Sequence, residues 1–428
     1  MRFLQVRPSL ADLEQHATSL ASRLPRLTAV CAGALSGILY GLSLPKADLG
    51  WLAWICLLPI LAVVVRLNDD SDAASISAVS LGGLSLGIVA GTFRVYWIVE
   101  TLGSYGGLNV VEAAATTCLL ILYLGTYPMF FLRLCASAWR SGGQRMGYTF
   151  PWLAGATWAL MDWVQTWLFS GFPWAVLGTT QYRTPLVAAF AALAGVHGLS
   201  FVIIAFNSGV VLLLCQRRQQ WLAGSSAVTA VVVLVCGWGA YHLRALSSET
   251  LAPPLRIGIV QGNIRQDVKW EPGWKSATTE KYIDRTRRLA REAGPVDLII
   301  WPETALPYRF DDAQHATYRR AVTDLAMDLD TPLLVGSLGT ISPDGSPGLY
   351  NRAFLIDRDG HLAASGDKVH LVPFGEYLPF PWLFNYMRGL TAQSGAFDAG
   401  QEHAVISLPR RDPGAGSTPM GLFVCYES

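Results

Sequence analysis

Long apolar stretches dominate the first 245 positions, at about 28–44, 51–67, 76–99, 110–134, 148–169, 186–214 and 221–245. A spanning helix takes roughly 20 residues. The first two stretches are short for that, and flanking Gly, Pro and Trp complete them as a helical hairpin around Pro45-Lys46-Ala47-Asp48. Residues 1–27 carry Arg2, Arg7, Arg23 and Arg26 with few long apolar runs; they read as a cytoplasmic N-terminal tail, the alternative being a cleaved signal peptide. Residues 28–245 then form a membrane domain of about seven helices. From Leu255 the pattern changes to short β-branched runs separated by turns and amphipathic helices. Strands are predicted over 255–261, 296–301, 332–336, 351–357 and 361–369, with helices over 273–293 and 314–329. That alternation implies an α/β domain over 255–428. The chain ends on a strand-like run, Met420 to Ser428, reached through the polar loop Arg410 to Pro419.

Composition agrees with a membrane protein: 52% of the 428 residues are hydrophobic and 15% charged, against about 25% charged in ordinary soluble domains. A net charge of +1 gives no pointer to nucleic acid, but the placement of the charges is informative. With the N-terminus inside, the inside segments hold Arg2, Arg7, Arg23, Arg26, Arg66, Arg133, Arg140, Arg145, Arg217 and Arg218, and the outside loops hold Lys46 and Arg183, with Arg94 near an outer end. This bias and an odd number of spans put everything after about residue 245 outside. Asp69, Asp70 and Asp72 do not disturb it, because acidic residues weigh little in the rule.

Six of the seven cysteines, at 31, 56, 118, 135, 215 and 236, lie in apolar runs, where cysteine is packing material. No CxxC pair or histidine at metal-ligand spacing accompanies them, so neither a zinc site nor a disulfide framework is expected. Cys425 stands alone in its domain. A nucleophilic cysteine needs a base for its proton and a cation for the oxyanion it generates. Glu303 leaves a predicted strand after Trp301-Pro302, at the strand end where α/β sheets place reactive groups. A partly desolvated carboxylate there suits a general base. Lys368 precedes a tight turn. Taken singly, the three also read as a solvated turn glutamate, a surface lysine and a buried strand cysteine; together they are the candidate triad. Phe172 and Trp174 in one outside loop and Trp97 and Tyr105 in another read as an interfacial aromatic belt, the alternative being that Phe172 and Trp174 line a lipid or acyl-chain entrance. The run 381–387, with Trp382 and Phe384, is too apolar for a water-facing loop and reads as a lid dipping into the bilayer or as a domain-packing loop.

Trp301-Pro302-Glu303, the block from Lys368 through Pro373-Phe374-Gly375-Glu376 to Pro379, and Val424-Cys425-Tyr426-Glu427-Ser428 resemble the three blocks of the nitrilase, or carbon-nitrogen hydrolase, superfamily. The preceding spans, Phe172-Pro173-Trp174 and Val260-Gln261-Gly262-Asn263-Ile264 narrow the resemblance to its membrane branch, the bacterial apolipoprotein N-acyltransferases. The resemblance implies a polytopic α-helical membrane domain followed by an α/β nitrilase-like αββα sandwich, set in the inner membrane with the catalytic domain on the periplasmic side. It implies a ping-pong transfer of a fatty acyl chain from a phospholipid donor, through a Cys425 thioester, to the N-terminal amine of diacylglyceryl-cysteine on an apolipoprotein acceptor, with Glu303 as base, Lys368 as oxyanion stabiliser and no metal or organic cofactor. Carried over by position, Glu376 orients Lys368 or stabilises the intermediate, Tyr426 and Glu427 flank the nucleophile, and Trp270 and Asn351 line the site. Family members continue through further sandwich strands and a final span, so a sequence stopping three residues after Cys425 is expected to give an incomplete, truncated sandwich. The rival readings are a membrane-anchored amidase using the same triad and an inactive lipid-binding fragment.

Overall fold

The computed structural model describes residues 10–67, 73–104, 106–142, 146–214, 218–248, 254–341, 347–373, 375–377, 382, 397–411 and 416–425. It falls into two compact units, Met1–Gly103 with Leu108–Glu249, and Ser104–Gly107 with Thr250–Ser428.

The first unit is helical: α1 (Leu10–Ser43), α2 (Leu58–Val64), α3 (Ala73–Val95), α4 (Ile98–Ser104), α5 (Val110–Gly142), α6 (Phe150–Val164), α7 (Pro185–Ala188), α8 (Ala191–Leu213) and α9 (Arg218–Ser248). Among the described residues five helices are long and apolar enough to cross a membrane: α1 from Arg26, α3, α5, α8 and α9. Two expected spans are shorter. The stretch 51–67 breaks into a 3₁₀ turn, Gly50–Trp54, and α2. Asn207 on α8 repairs the break, accepting from Leu57 N at 3.0 Å and donating to Ala53 O at 3.0 Å; irregular backbone at membrane depth needs such internal partners. The stretch 148–169 gives the 15-residue α6. At the other end of the unit α1 begins at Leu10, so helix occupies much of the expected tail.

Small residues set the helix spacing. A Cβ on Gly82 of α3 would sit 2.6 Å from Ala29 O of α1, and one on Gly83 would sit 2.4 Å from Pro128 O of α5. α3 therefore packs backbone to backbone between its neighbours, the contact on which helix association in an apolar medium depends.

In the second unit β1 (Ile257–Ile259), β2 (Leu298–Ile300), β3 (Leu333–Ile341), β4 (Pro347–Ile356) and β5 (Leu362–Asp367) form one sheet in that order, with β6 (Val405–Pro409) and β7 (Ser417–Gly421) as a separate antiparallel pair. β1, β2 and β3 run parallel, and β3, β4 and β5 antiparallel. Alternation puts Ile299, Leu333, Val335 and Phe354 on one face, packed on Tyr282 and Ile283 of α11 (Lys275–Ala293) and Val322 and Leu325 of α12 (Ala316–Asp328). Before α11 comes the single turn α10 (Gln266–Lys269). Leu298, Leu334 and Leu355 on the other face pack on Ile406 and Leu408 of β6. Both faces are thus covered, as expected of a sheet with parallel strands.

The expected strand through Cys425 ends early. β7 stops at Gly421, and Cys425 lies beyond it in a turn at φ 54°.

Candidate active site

Glu303 is placed by packing and by a glycine. Trp301, leaving β2, is 2% exposed, stacks on Tyr282 with ring centroids 4.9 Å apart and donates from Nε1 to Thr286 Oγ1 at 2.9 Å. The chain then turns: Ala305 N donates to Pro302 O and Leu306 N to Gly336 O, with Thr304 at φ 41°. Gly336 of β3 backs this corner, and a Cβ there would lie 2.2 Å from Pro302 O and 2.8 Å from the Glu303 Cα.

Lys368 follows β5 directly, its N–H donating to Asn351 O of β4 at 2.9 Å. Its side chain is 1% exposed, and the ammonium lies 3.4 Å from Glu303 Oε1 and 2.9 Å from Glu376 Oε1. Asn351 is also buried, and its Nδ2 donates to the same two oxygens, at 2.5 Å and 3.1 Å. Glu376 is fixed in turn, its Oε2 accepting from Val372 N at 2.8 Å. Burial works against the Lys368 charge, but Glu303 and Glu376 outweigh it and hold the ammonium above its ordinary pKa.

Cys425 hydrogen-bonds Glu303 and also feels Lys368 and Glu376. Burial first, then Glu303, pushes the thiol up, with Lys368 opposing. The resting thiol is therefore protonated at neutral pH, and a base would have to take its proton before it could act as a nucleophile. The expected triad residues come together, with Asn351 and Glu376 bridging them.

The other expected residues divide. Trp270 lies beside Lys269, whose ammonium is 5.7 Å from the ring centroid. Phe172 and Trp174 belong to the first unit, where they stack on each other at 6.3 Å and Trp97 lies 5.1 Å from Trp174. Trp382 is 81% exposed. Tyr426, Glu427, Phe384 and the rest of the expected lid lie outside the described residues.

Two features escaped sequence reasoning. Lys269 Nζ donates to Thr304 Oγ1 at 2.7 Å, next to Glu303. Arg352 forks onto Asp367, Nε to Oδ1 at 2.5 Å and a terminal nitrogen to Oδ2 at 2.8 Å, and reaches Asp311 at 3.4 Å. Arg352 adjoins Asn351 and Asp367 adjoins Lys368, and the register pairs Arg352 with Asp367. A one-residue slip would turn Lys368 to the opposite face, and the fork opposes that slip. A hairpin centred on Asp359-Gly360 carries the signal, because it places Arg352 opposite Asp367.

Residues 256–428 match the carbon-nitrogen hydrolase family model, and residues 36–209 match that of the apolipoprotein N-acyltransferase N-terminal domain. The class defined is a carbon-nitrogen hydrolase domain joined to an apolar helical domain. An apolipoprotein N-acyltransferase of Geobacter metallireducens is 34% identical over 92% of this chain and 72% of its own length, and one of Brucella melitensis is 29% identical over 93% of this chain and 73% of its own. The chain belongs to the apolipoprotein N-acyltransferase family. Among solved structures, an amidase from Nesterenkonia sp. overlaps 41% of this chain and 57% of its own at 22% identity and a TM-score of 0.28.

Proposed function

We propose that this protein transfers a fatty acyl chain from a membrane phospholipid, through a thioester on Cys425, to the α-amine of a diacylglyceryl-modified N-terminal cysteine of an apolipoprotein. The observation that carries this reading is the Cys425 thiol hydrogen-bonded to Glu303, with the Lys368 ammonium 3.4 Å from the same carboxylate. Family membership supplies the acceptor class, and the five apolar helices fit a donor that resides in a bilayer.

The chemistry follows from these groups. Glu303 takes the thiol proton as Cys425 Sγ adds to the ester carbonyl carbon, and the carbonyl oxygen becomes an oxyanion. The Lys368 ammonium, buried and held charged, meets that developing charge. Collapse breaks the bond to the glycerol oxygen, which leaves with the proton from Glu303 as a lysophospholipid. In the second half the acceptor amine adds to the thioester, gives a proton to Glu303, and the Cys425 sulfur departs and is reprotonated. Drawing a long acyl chain into water would cost about 0.8 kcal/mol per methylene. A membrane-borne enzyme meets its donor without that transfer.

The bias of Lys and Arg along the chain supports an inner-membrane protein with the catalytic unit on the periplasmic side. The test is intact-mass analysis after incubation in phospholipid micelles without acceptor. The expected result is a fatty-acyl increment that hydroxylamine removes and that Cys425→Ala lacks. An increment persisting in Cys425→Ala would overturn the assignment, and prompt loss of the acyl group to water in place of transfer to an amine would make the protein a hydrolase.

A further inference from the structure

We propose that Lys269 is a second positioning cation of this site, one that fixes the Glu303-Thr304 corner and sets its positive charge beside the Glu303 carboxylate where that group meets the Cys425 proton. The inference rests on the reading of Glu303 as base and Cys425 as nucleophile. Lys269 closes the short turn α10, and its ammonium donates to Thr304 Oγ1 at 2.7 Å. Thr304 is 8% exposed and stands at φ 41°. A β-branched residue is an unfavourable occupant of left-handed backbone and persists there only when its surroundings hold it. Gly336 backs the corner on the β3 side, and Lys269 grips the side chain immediately after Glu303.

Glu303 and Glu376 bring two carboxylates, and Lys368 bridges both. Arg352 is engaged by Asp311 and Asp367. Among the described residues the titratable groups facing Glu303 are Lys368, Glu376, Cys425 and Lys269. With Lys269 charged, the two carboxylates are matched by two ammonium groups. Burial lowers the proton affinity of Lys269 and Glu303 restores part of it, so the two groups sense each other. Removing the Lys269 charge takes a cation from beside these carboxylates, which raises the proton affinity of Glu303. The base would then work only at higher pH.

The experiment uses the full chain in detergent micelles with p-nitrophenyl butyrate as acyl probe. It reads the burst of p-nitrophenol across pH, with acylation of Cys425 confirmed by intact mass. Lys269→Met keeps the packing of the stem and removes the charge, with Lys269→Gln as a second neutral variant. Both are expected to move the acid limb of the burst up by about one pH unit, which is tenfold in rate below the limb. Lys269→Arg keeps the charge and the donor and is expected to retain the wild-type limb. An unmoved limb in the neutral variants, or an equal displacement in Lys269→Arg, would overturn the proposal. Glu303→Gln separates the two levels of the argument: if it keeps the wild-type burst, the assignment of the base fails and the role of Lys269 falls with it. If it abolishes the burst while the neutral Lys269 variants keep their limb, the role of Lys269 fails alone.

Discussion

Glu303 Oε1 and Glu376 Oε1 accept hydrogen bonds from the same two donors, Asn351 Nδ2 and Lys368 Nζ. The two carboxylates are thereby coupled, since a change at either redistributes both donors. Glu376→Gln weakens the pull on Lys368 from one side and lets the ammonium settle on Glu303, which makes the base weaker. Acylation is expected to slow while unfolding changes little, read as single-turnover thioester formation against thermal unfolding. Equal loss in both measurements would reduce Glu376 to a packing residue.

Glu303→Gln separates thiol acidity from turnover. The carboxylate now pushes the Cys425 thiol up, so its removal is expected to shift iodoacetamide alkylation of Cys425 toward lower pH. Thioester formation from phospholipid is nevertheless expected to fall by about 10²–10⁴, the usual worth of a general base. Alkylation that shifts to higher pH would contradict the arrangement.

Lys368→Met removes the cation proposed to meet the oxyanion and leaves Glu303 and Glu376 without their shared partner. Loss of such a stabiliser costs roughly 10²–10³ in rate. Acylation measured by intact mass should show it, and a loss below tenfold would assign the oxyanion to another donor.

Alkaline pH is expected to weaken this unit. Lys368 and Cys425 both hold their protons more tightly in the folded state than at their ordinary values of 10.5 and 9.0. Their favourable contribution is full below those values and is lost as pH rises past them into the folded-state range. Thermal unfolding in detergent between about pH 8 and about pH 11 is expected to show a decline that Lys368→Met reduces. The same decline in that variant would place its cause elsewhere.

Arg352→Met strands Asp367 and Asp311, whose side chains are 7% and 14% exposed, without their cation. Breaking a buried pair from one side costs about 3–5 kcal/mol. Denaturant unfolding should report this, and Arg352→Lys should recover only part because a single ammonium cannot reproduce the fork. Full recovery with lysine would show that charge alone matters.

Much of this organisation was legible in the sequence because local rules and tertiary packing agree. The β-branched runs around Ile257, Ile299 and Leu333 became strands, and Glu303 emerged at the end of β2. What stayed hidden depends on distant partners. The break at residues 51–67 is stabilised by Asn207, about 150 positions away, and hydropathy along the chain does not register that pairing. Cys425 sits in a run of apolar residues that pattern alone makes a strand, but the β6 and β7 pairing ends at Gly421. Lys269 stands between Asp267 and Glu271 as an ordinary surface lysine would, and its partner Thr304 is 35 residues on.

The backbone of Cys425, at φ 54°, also limits which chemistries are open to this scaffold through single substitutions. Left-handed backbone tolerates unbranched residues far better than β-branched ones. Threonine, a candidate oxygen nucleophile, would need surroundings that hold a β-branched residue in this conformation, as they hold Thr304 at φ 41°. Serine fits the backbone but brings a hydroxyl far less acidic than a thiol. Exchange for serine thus keeps the chain path and changes only the acidity of the attacking group, whereas a branched side chain would also have to be held in an unfavourable conformation.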